Sequence, residues 1–196
     1  MLLLAPCGGI SAQARRLLIL GDSLSAAHNM ATDQGWASLL SVRLKTHAGG
    51  AVDVVNASIS GETSSGGAAR IDALLATHQP THLLLELGAN DSLRGLALTQ
   101  TRAHLVHILS AARSAGTKIL LVGIEMPVNY GRRYREGLRQ LYADLAQAHA
   151  DAFLPHLLAP LGTDVTQFQD DRLHPNAAAQ ARLEAAVATA LEPLLH

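Results

Sequence analysis

Only one cysteine, Cys7, stands among the 196 residues, so no disulfide can close within the chain. That scarcity says little about compartment, because many exported proteins of bacterial type lack disulfides. Charge is also scarce and nearly balanced, with 15 basic against 16 acidic residues and a formal net charge of -1. Binding a phosphate backbone requires a basic face, so a nucleic-acid partner is excluded. The local cluster Arg132, Arg133 and Arg135 reads instead as a solvated helix face. No stretch approaches the ~18 uninterrupted apolar residues of a membrane-spanning helix, so no integral membrane segment is expected. Neither a Gly-rich dinucleotide fingerprint nor a P-loop occurs. A Gly-x-Ser-x-Gly elbow is missing too, which disfavours an α/β-hydrolase.

What is present is core-forming material. Hydrophobic residues make up 48% of the chain, dominated by Ala and Leu, and the length suits one domain. There is no internal repeat, low-complexity tract or linker, so residues 15–196 are expected to form that domain. Residues 1–14 read differently. Leu2-Leu3-Leu4-Ala5 is apolar, and Ala12-Gln13-Ala14 has the small-x-small form of a signal-peptidase site. A positive n-region is missing, and Pro6, Gly8 and Gly9 interrupt the apolar run. The segment reads as the remnant of an export signal, ahead of the alternative of a disordered leader. Export implies a periplasmic or secreted protein, and the alternative a cytoplasmic one.

Beyond residue 14, short apolar runs alternate with longer amphipathic segments. Strands are expected at 17–20, 52–57, 81–87, 118–124 and, briefly, 152–154. Helices are expected at 34–47, 68–78, 97–115, 132–150 and 175–195. Gly116 is a good C-terminal stop, and Pro175 suits a first helical turn. Alternating strands and helices of these lengths mean βαβ units with right-handed crossovers. The expected fold is therefore α/β: a three-layer α/β/α sandwich around a mostly parallel five-stranded sheet, flavodoxin-like. Ligands in such sheets bind outside the carboxyl ends of the strands.

Four strand ends carry chemistry. Gly21-Asp22-Ser23-Leu24 follows the first apolar run, where Ser23 is expected at the mouth of a helix whose N-terminus favours a nucleophilic serine. Helix capping is an equally good reading of this tetrapeptide taken alone. Ser60-Gly61-Glu62-Thr63 follows the second strand, and Gly61 could aim its N–H at an oxyanion or simply make a turn. Gly88-Ala89-Asn90-Asp91 follows the third, and Asn90 could offer a side-chain N–H to the same oxyanion or cap a turn. Asp171-Arg172-Leu173-His174-Pro175 precedes the last helix. Its spacing can bring the Asp171 carboxylate to Nδ1 of His174, leaving Nε2 to take a proton from a serine. Asp170 is adjacent, and spacing alone selects Asp171. Taken together, the four ends supply a nucleophile, a base, an orienting carboxylate and two oxyanion donors.

In order along the chain, these segments resemble the four sequence blocks of the SGNH/GDSL hydrolases, over about nine-tenths of its length. Ser92-Leu93-Arg94-Gly95-Leu96 and Asn129-Tyr130-Gly131-Arg132-Arg133-Tyr134 are similar to segments of the bacterial thioesterase I/lysophospholipase/arylesterase branch. The resemblance implies Ser23 as nucleophile, His174 as base, Asp171 as its partner, and an oxyanion hole from Ser23 N–H, Gly61 N–H and Asn90. Ala89 and Ser92 depart from the branch, which often has glycine at both places. These departures bear on chain-length preference rather than on the chemistry.

The expected reaction is a double displacement on a small-molecule ester or thioester, with short to medium acyl chains and lysophospholipid as substrates. It requires no metal or organic cofactor. Its rate is expected to fall at acidic pH, where the base is protonated. Leu93, Leu96 and Leu98 are candidates for an acyl-chain wall, or for packing at the start of the next helix. A monomer is expected. Two other readings compete: a metal-dependent phosphoesterase using Gly21-Asp22 and Asn90-Asp91, and a non-enzymatic flavodoxin-like binding module.

Overall fold

Leu-rich runs condense into five strands, and their alternation decides which helices cover each face. The computed structural model describes residues 15–196. Within them β1 (Arg15–Gly21), β2 (Val52–Asn56), β3 (His82–Glu86), β4 (Lys118–Val122) and β5 (Ala152–Leu154) form one parallel sheet. The strand order is β2-β1-β3-β4-β5. The helices are α1 (Trp36–Leu44), α2 (Ser64–His78), α3 (Ala89–Leu93), α4 (Leu98–Ser114), α5 (Arg132–His149) and α6 (Gln180–Leu191). The proposed export signal lies outside the described residues.

Successive strand side chains point to opposite faces. Leu18, Leu20, Leu83, Leu85, Ile119 and Leu121 therefore pack on one side, against Ile71 of α2, Leu105 and Ile108 of α4, and Leu138 and Tyr142 of α5. Leu17, Ile19, Leu84, Leu120 and Val122 pack on the other, against Trp36 and Leu40 of α1 and Leu183 and Val187 of α6. Both sheet faces are covered, which is why the central strands read as unbroken apolar runs. The architecture is the three-layer α/β/α sandwich.

From β1 the chain moves to one side for β2, then back across β1 for β3, β4 and β5. The order thus reverses between β1 and β3, where an open α/β sheet leaves a crevice at its carboxyl edge. Gly21, the end of β1, pairs in register with Glu86, the end of β3. Residues that follow these two strands meet in that crevice.

Three local readings change. Helix α2 starts at Ser64, four residues earlier than the apolar periodicity suggests, because Thr63 caps it by accepting the Gly66 N–H at 3.3 Å. Helix α3, only five residues long, is too short to show a period and is unforeseen. The single helix expected over 175–195 is interrupted at both ends. Pro175 is buried and bridges Phe168, and Asn176 caps a 3-10 turn at Ala177–Ala179 before α6 begins. Another 3-10 turn, Glu192–Leu194, contains Pro193, whose ring nitrogen cannot continue a helical ladder.

Candidate active site

Ser23 follows β1 in a tight turn. Asp22 builds that turn: its carbonyl accepts Ser25 N–H at 3.2 Å and Ala26 N–H at 3.0 Å, while its Oδ1 accepts Leu24 N–H at 3.0 Å. The expected helix behind Ser23 is absent. The chain makes successive turns through left-handed Ala27 and Asn29, and α1 starts only at Trp36. A helix dipole therefore does not assist this serine; the turn geometry alone presents it.

A loop from the far end of the chain meets it. Gln169 N–H bonds the His174 carbonyl at 2.8 Å, and Arg172 takes a left-handed conformation with φ 57°. That bend folds Asp171 back on His174. Asp171 Oδ2 lies 2.6 Å from His174 Nδ1, and its Oδ1 accepts the N–H groups of Leu173 and His174 at 2.9 and 3.0 Å. His174 Nε2 lies 2.9 Å from Ser23 Oγ. Partial desolvation pushes the Asp171 carboxyl upward, but the His174 N–H, the His174 ring and the Leu173 N–H outweigh it and hold it down at about 2. Asp170 makes none of these contacts.

The third strand end brings Asn90 to the same place. Its amide donates to the Glu62 carbonyl at 2.9 Å and to Asp22 Oδ2 at 3.1 Å. Gly61 adopts φ 81°, a left-handed conformation that favours glycine, and Arg94 pins its carbonyl at 2.9 Å. Among the described residues, the N–H groups of Ser23 and Gly61 have no protein acceptor. Ser23, Gly61 and Asn90 all line one cleft, together with His174.

The cleft beside Ser23 has a volume of about 630 Å³ and is mostly apolar. Leu93 lines it, but Leu96 and Leu98 do not. Leu98 opens α4 and turns its side chain into the core near Gly137 of α5, so for this residue the packing role is the correct one. The opposite wall is built by Ile124, Met126 and Val128 after β4 and by Leu157 and Leu158 after β5. The strand-end rule that singles out Ser23 applies equally to these segments and could have found them. His28 also escaped notice. Its ring centroid sits 4.2 Å from that of His174, and Gln169 ties its carbonyl to that of Pro175. One histidine among ten carries no sequence signal.

Arg135 is not part of a solvated face. It donates to the Met126 carbonyl at 2.8 Å and to Glu125 at 2.7 Å, fastening α5 to the cleft wall, while Arg132 pairs only with Glu136. Asp91 is spent on structure: it accepts Ser64 N–H at 2.8 Å, Thr101 Oγ1 at 3.1 Å and the Ser64 hydroxyl. A dinuclear metal site at Asn90-Asp91 therefore lacks its carboxylate. His28, Asp171 and His174 place ligand atoms within 4.8 Å of one another. Yet the Leu173 and His174 N–H groups and the His174 ring already meet the Asp171 oxygens, and Ser23 Oγ lies 2.9 Å from His174 Nε2.

The sequence model of the GDSL-like Lipase/Acylhydrolase family matches residues 19–182. Esterase TesA of Pseudomonas aeruginosa is 46% identical over 94% of this chain and 91% of its own length. Thioesterase 1/protease 1/lysophospholipase L1 of Escherichia coli is 42% identical over 95% of this chain and 88% of its own. The crystal structure of the psychrotrophic esterase EstA from Pseudoalteromonas sp., inhibited by monoethylphosphonate, superposes with a TM-score of 0.87 at 33% identity, covering 92% of this chain and 98% of that one. This chain belongs to the GDSL-like lipase/acylhydrolase family.

Proposed function

We propose that Ser23, His174 and Asp171 are the catalytic triad of this chain, a serine hydrolase that cleaves carboxylic esters and thioesters. One observation carries the assignment: an unbroken line from Asp171 Oδ2 through the His174 ring to Ser23 Oγ, with spans of 2.6 and 2.9 Å. Ser23 Oγ attacks the acyl carbonyl as its proton passes to His174 Nε2. The carbonyl electrons move to oxygen, which accepts hydrogen bonds from Ser23 N–H, Gly61 N–H and one Asn90 amide hydrogen. To serve, Asn90 keeps its bond to Asp22 and redirects the hydrogen now given to the Glu62 carbonyl. When the carbon–oxygen or carbon–sulfur bond breaks, His174 returns the proton to the leaving alcohol or thiol. Water, giving its proton to the same imidazole, then releases the carboxylic acid and regenerates Ser23.

The apolar cleft supports short to medium acyl chains, with Leu93 on one wall and Ile124, Met126 and Val128 on the other. A lysophospholipid fits the same description of a single acyl chain. The small-x-small sequence at Ala12-Gln13-Ala14 supports export to the periplasm or beyond, and no described helix is long and apolar enough to cross a membrane. One chain supplies every group the reaction uses, which supports a monomer as the acting unit. Ser23→Ala, assayed on a chromogenic short-chain ester, tests the triad. Turnover is expected to vanish, and wild-type turnover would remove the serine mechanism.

A further inference from the structure

Glu86 is the one carboxylate of β3, set after three leucines at the end of the strand and fully buried under the serine turn. A buried charge survives only when paired and hydrogen-bonded. Its Oε2 accepts the Ser25 hydroxyl at 2.8 Å and the Asp22 N–H at 3.3 Å. Its Oε1 meets no hydrogen-bond donor among the described residues and no solvent. No cation is among its immediate partners. The ionisable groups around it are Asp22, just after β1, and Tyr142 on α5; Asp91 on α3 lies near Tyr142, and His174 beyond Asp22. The fold nonetheless keeps room for this carboxyl. A Cβ on Gly21 would meet Ser25 Oγ at 2.7 Å and Glu86 Oε2 at 2.9 Å.

A fully buried carboxyl oxygen that meets no donor, in a residue whose other oxygen accepts the Asp22 N–H, favours the neutral acid over the anion. Asp22 is the natural acceptor, and its other contacts matter for catalysis. Its Oδ1 holds Leu24 N–H, which shapes the serine turn, and its Oδ2 holds the Asn90 amide.

We propose that Glu86 is a positioning residue for ester hydrolysis: as a neutral carboxylic acid it donates to Asp22, and so holds Asp22 as the common acceptor that aims both the Ser23 turn and the Asn90 amide. The inference rests on the roles proposed above for Ser23 and Asn90. Burial first, and then the negative charge of Asp22, push the Glu86 carboxyl well above the usual carboxylate range. Burial also raises Asp22, to about 6, against the opposing pull of Leu24 N–H, His174 and Asn90. Asp22, whose oxygens accept the Leu24 N–H and the Asn90 amide, is the ionised member of the pair, and Glu86, with one oxygen that meets no donor, carries the proton. At alkaline pH Glu86 loses its proton, two negative charges face each other, and the alignment of the oxyanion donors is lost.

The test is steady-state hydrolysis of a chromogenic ester by wild type, Glu86→Gln and Glu86→Leu across pH, with active sites counted by an organophosphonate. Gln keeps a donor toward Asp22 and no charge. It is expected to hold kcat within about fivefold of wild type at neutral pH and to lose the alkaline decline. Leu is expected to lower kcat about 10–100-fold with KM nearly unchanged, the pattern of a transition-state effect. A Leu variant with wild-type kcat and pH profile, or a Gln variant as slow as Leu, would overturn the proposal. Should Leu fail to fold, infrared difference spectroscopy decides: wild type at neutral pH is expected to show a protonated-carboxyl stretch that Glu86→Gln lacks, and its absence from wild type overturns the proposal. Mapping the phosphonate separates the two readings. Label on Ser23 with unaffected Glu86 variants defeats only the positioning role, whereas label elsewhere defeats the triad.

Discussion

The two carboxyl groups nearest the nucleophile are held by opposite physics. Asp171 sits on an outer loop, with 37% of its side chain exposed, and three donors keep it ionised down to about pH 2. Asp22 lies in the floor, buried, and is raised to about 6, and burial pushes Glu86 beside it well above the usual carboxylate range too. The rim therefore stabilises a full charge through hydrogen bonds, and the floor tolerates only one charge between two acids because desolvation dominates there. A fixed rim anion suits the imidazolium that forms on His174. A floor that carries a proton suits donors that must stay aimed at a developing oxyanion.

The comparison can be broken in several places, beginning with the largest effect. Ser23→Ala should lower kcat/KM by about 10⁴-fold or more, because both rim and floor act through this hydroxyl. Removing the rim charge with Asp171→Asn should cost roughly 10³-fold, with the folded structure retained, since it leaves the imidazole without its orienting carboxylate. Asn90→Ala, which deletes the floor's side-chain donor, should reduce kcat about 10²–10³-fold and leave KM nearly unchanged. Leu93→Ala should change rates on longer acyl chains about threefold to tenfold and leave the shortest ester untouched, as an acyl-length series would show.

A smaller effect separates rim from floor by stability. The folded-state pKa of Asp171 is depressed, so its contribution is present above 3.8 and is lost as pH falls through about 2. Glu86 is raised, so its contribution is present below 4.5 and is lost as pH rises through its folded-state value. Thermal unfolding against pH should therefore show Asp171→Asn flattening the loss of stability below 3.8 and Glu86→Gln flattening the loss that sets in above 4.5. Identical curves for both variants would contradict the contrast.

Much of this site was legible in the sequence because its parts follow short apolar runs. Ser23, Gly61 and Asn90 each stand just past a strand that periodicity identifies, and the topology gathers strand ends at one edge. His174 and Asp171 were legible from their own spacing. The helix expected behind Ser23 was not borne out, because a dipeptide of turn formers fits a capped helix and a chain of turns equally well. The sequence leaves Leu98 between cleft wall and packing because an apolar residue at a helix start faces core or cleft according to a rotation that one residue cannot reveal; it packs on the core. Glu86 lay unremarked inside an apolar run, although a carboxylate in such a run is rarely buried without a partner. Its meaning depends on Asp22, 64 residues away, and that pairing exists only once β1 and β3 are in register.

A crystal structure of the protein after reaction with an organophosphonate tests the central claim most directly. Phosphorus is expected on Ser23 Oγ, with the phosphoryl oxygen accepting hydrogen bonds from Ser23 N–H, Gly61 N–H and the Asn90 amide. An adduct on another residue, or a phosphoryl oxygen turned away from all three donors, would contradict it.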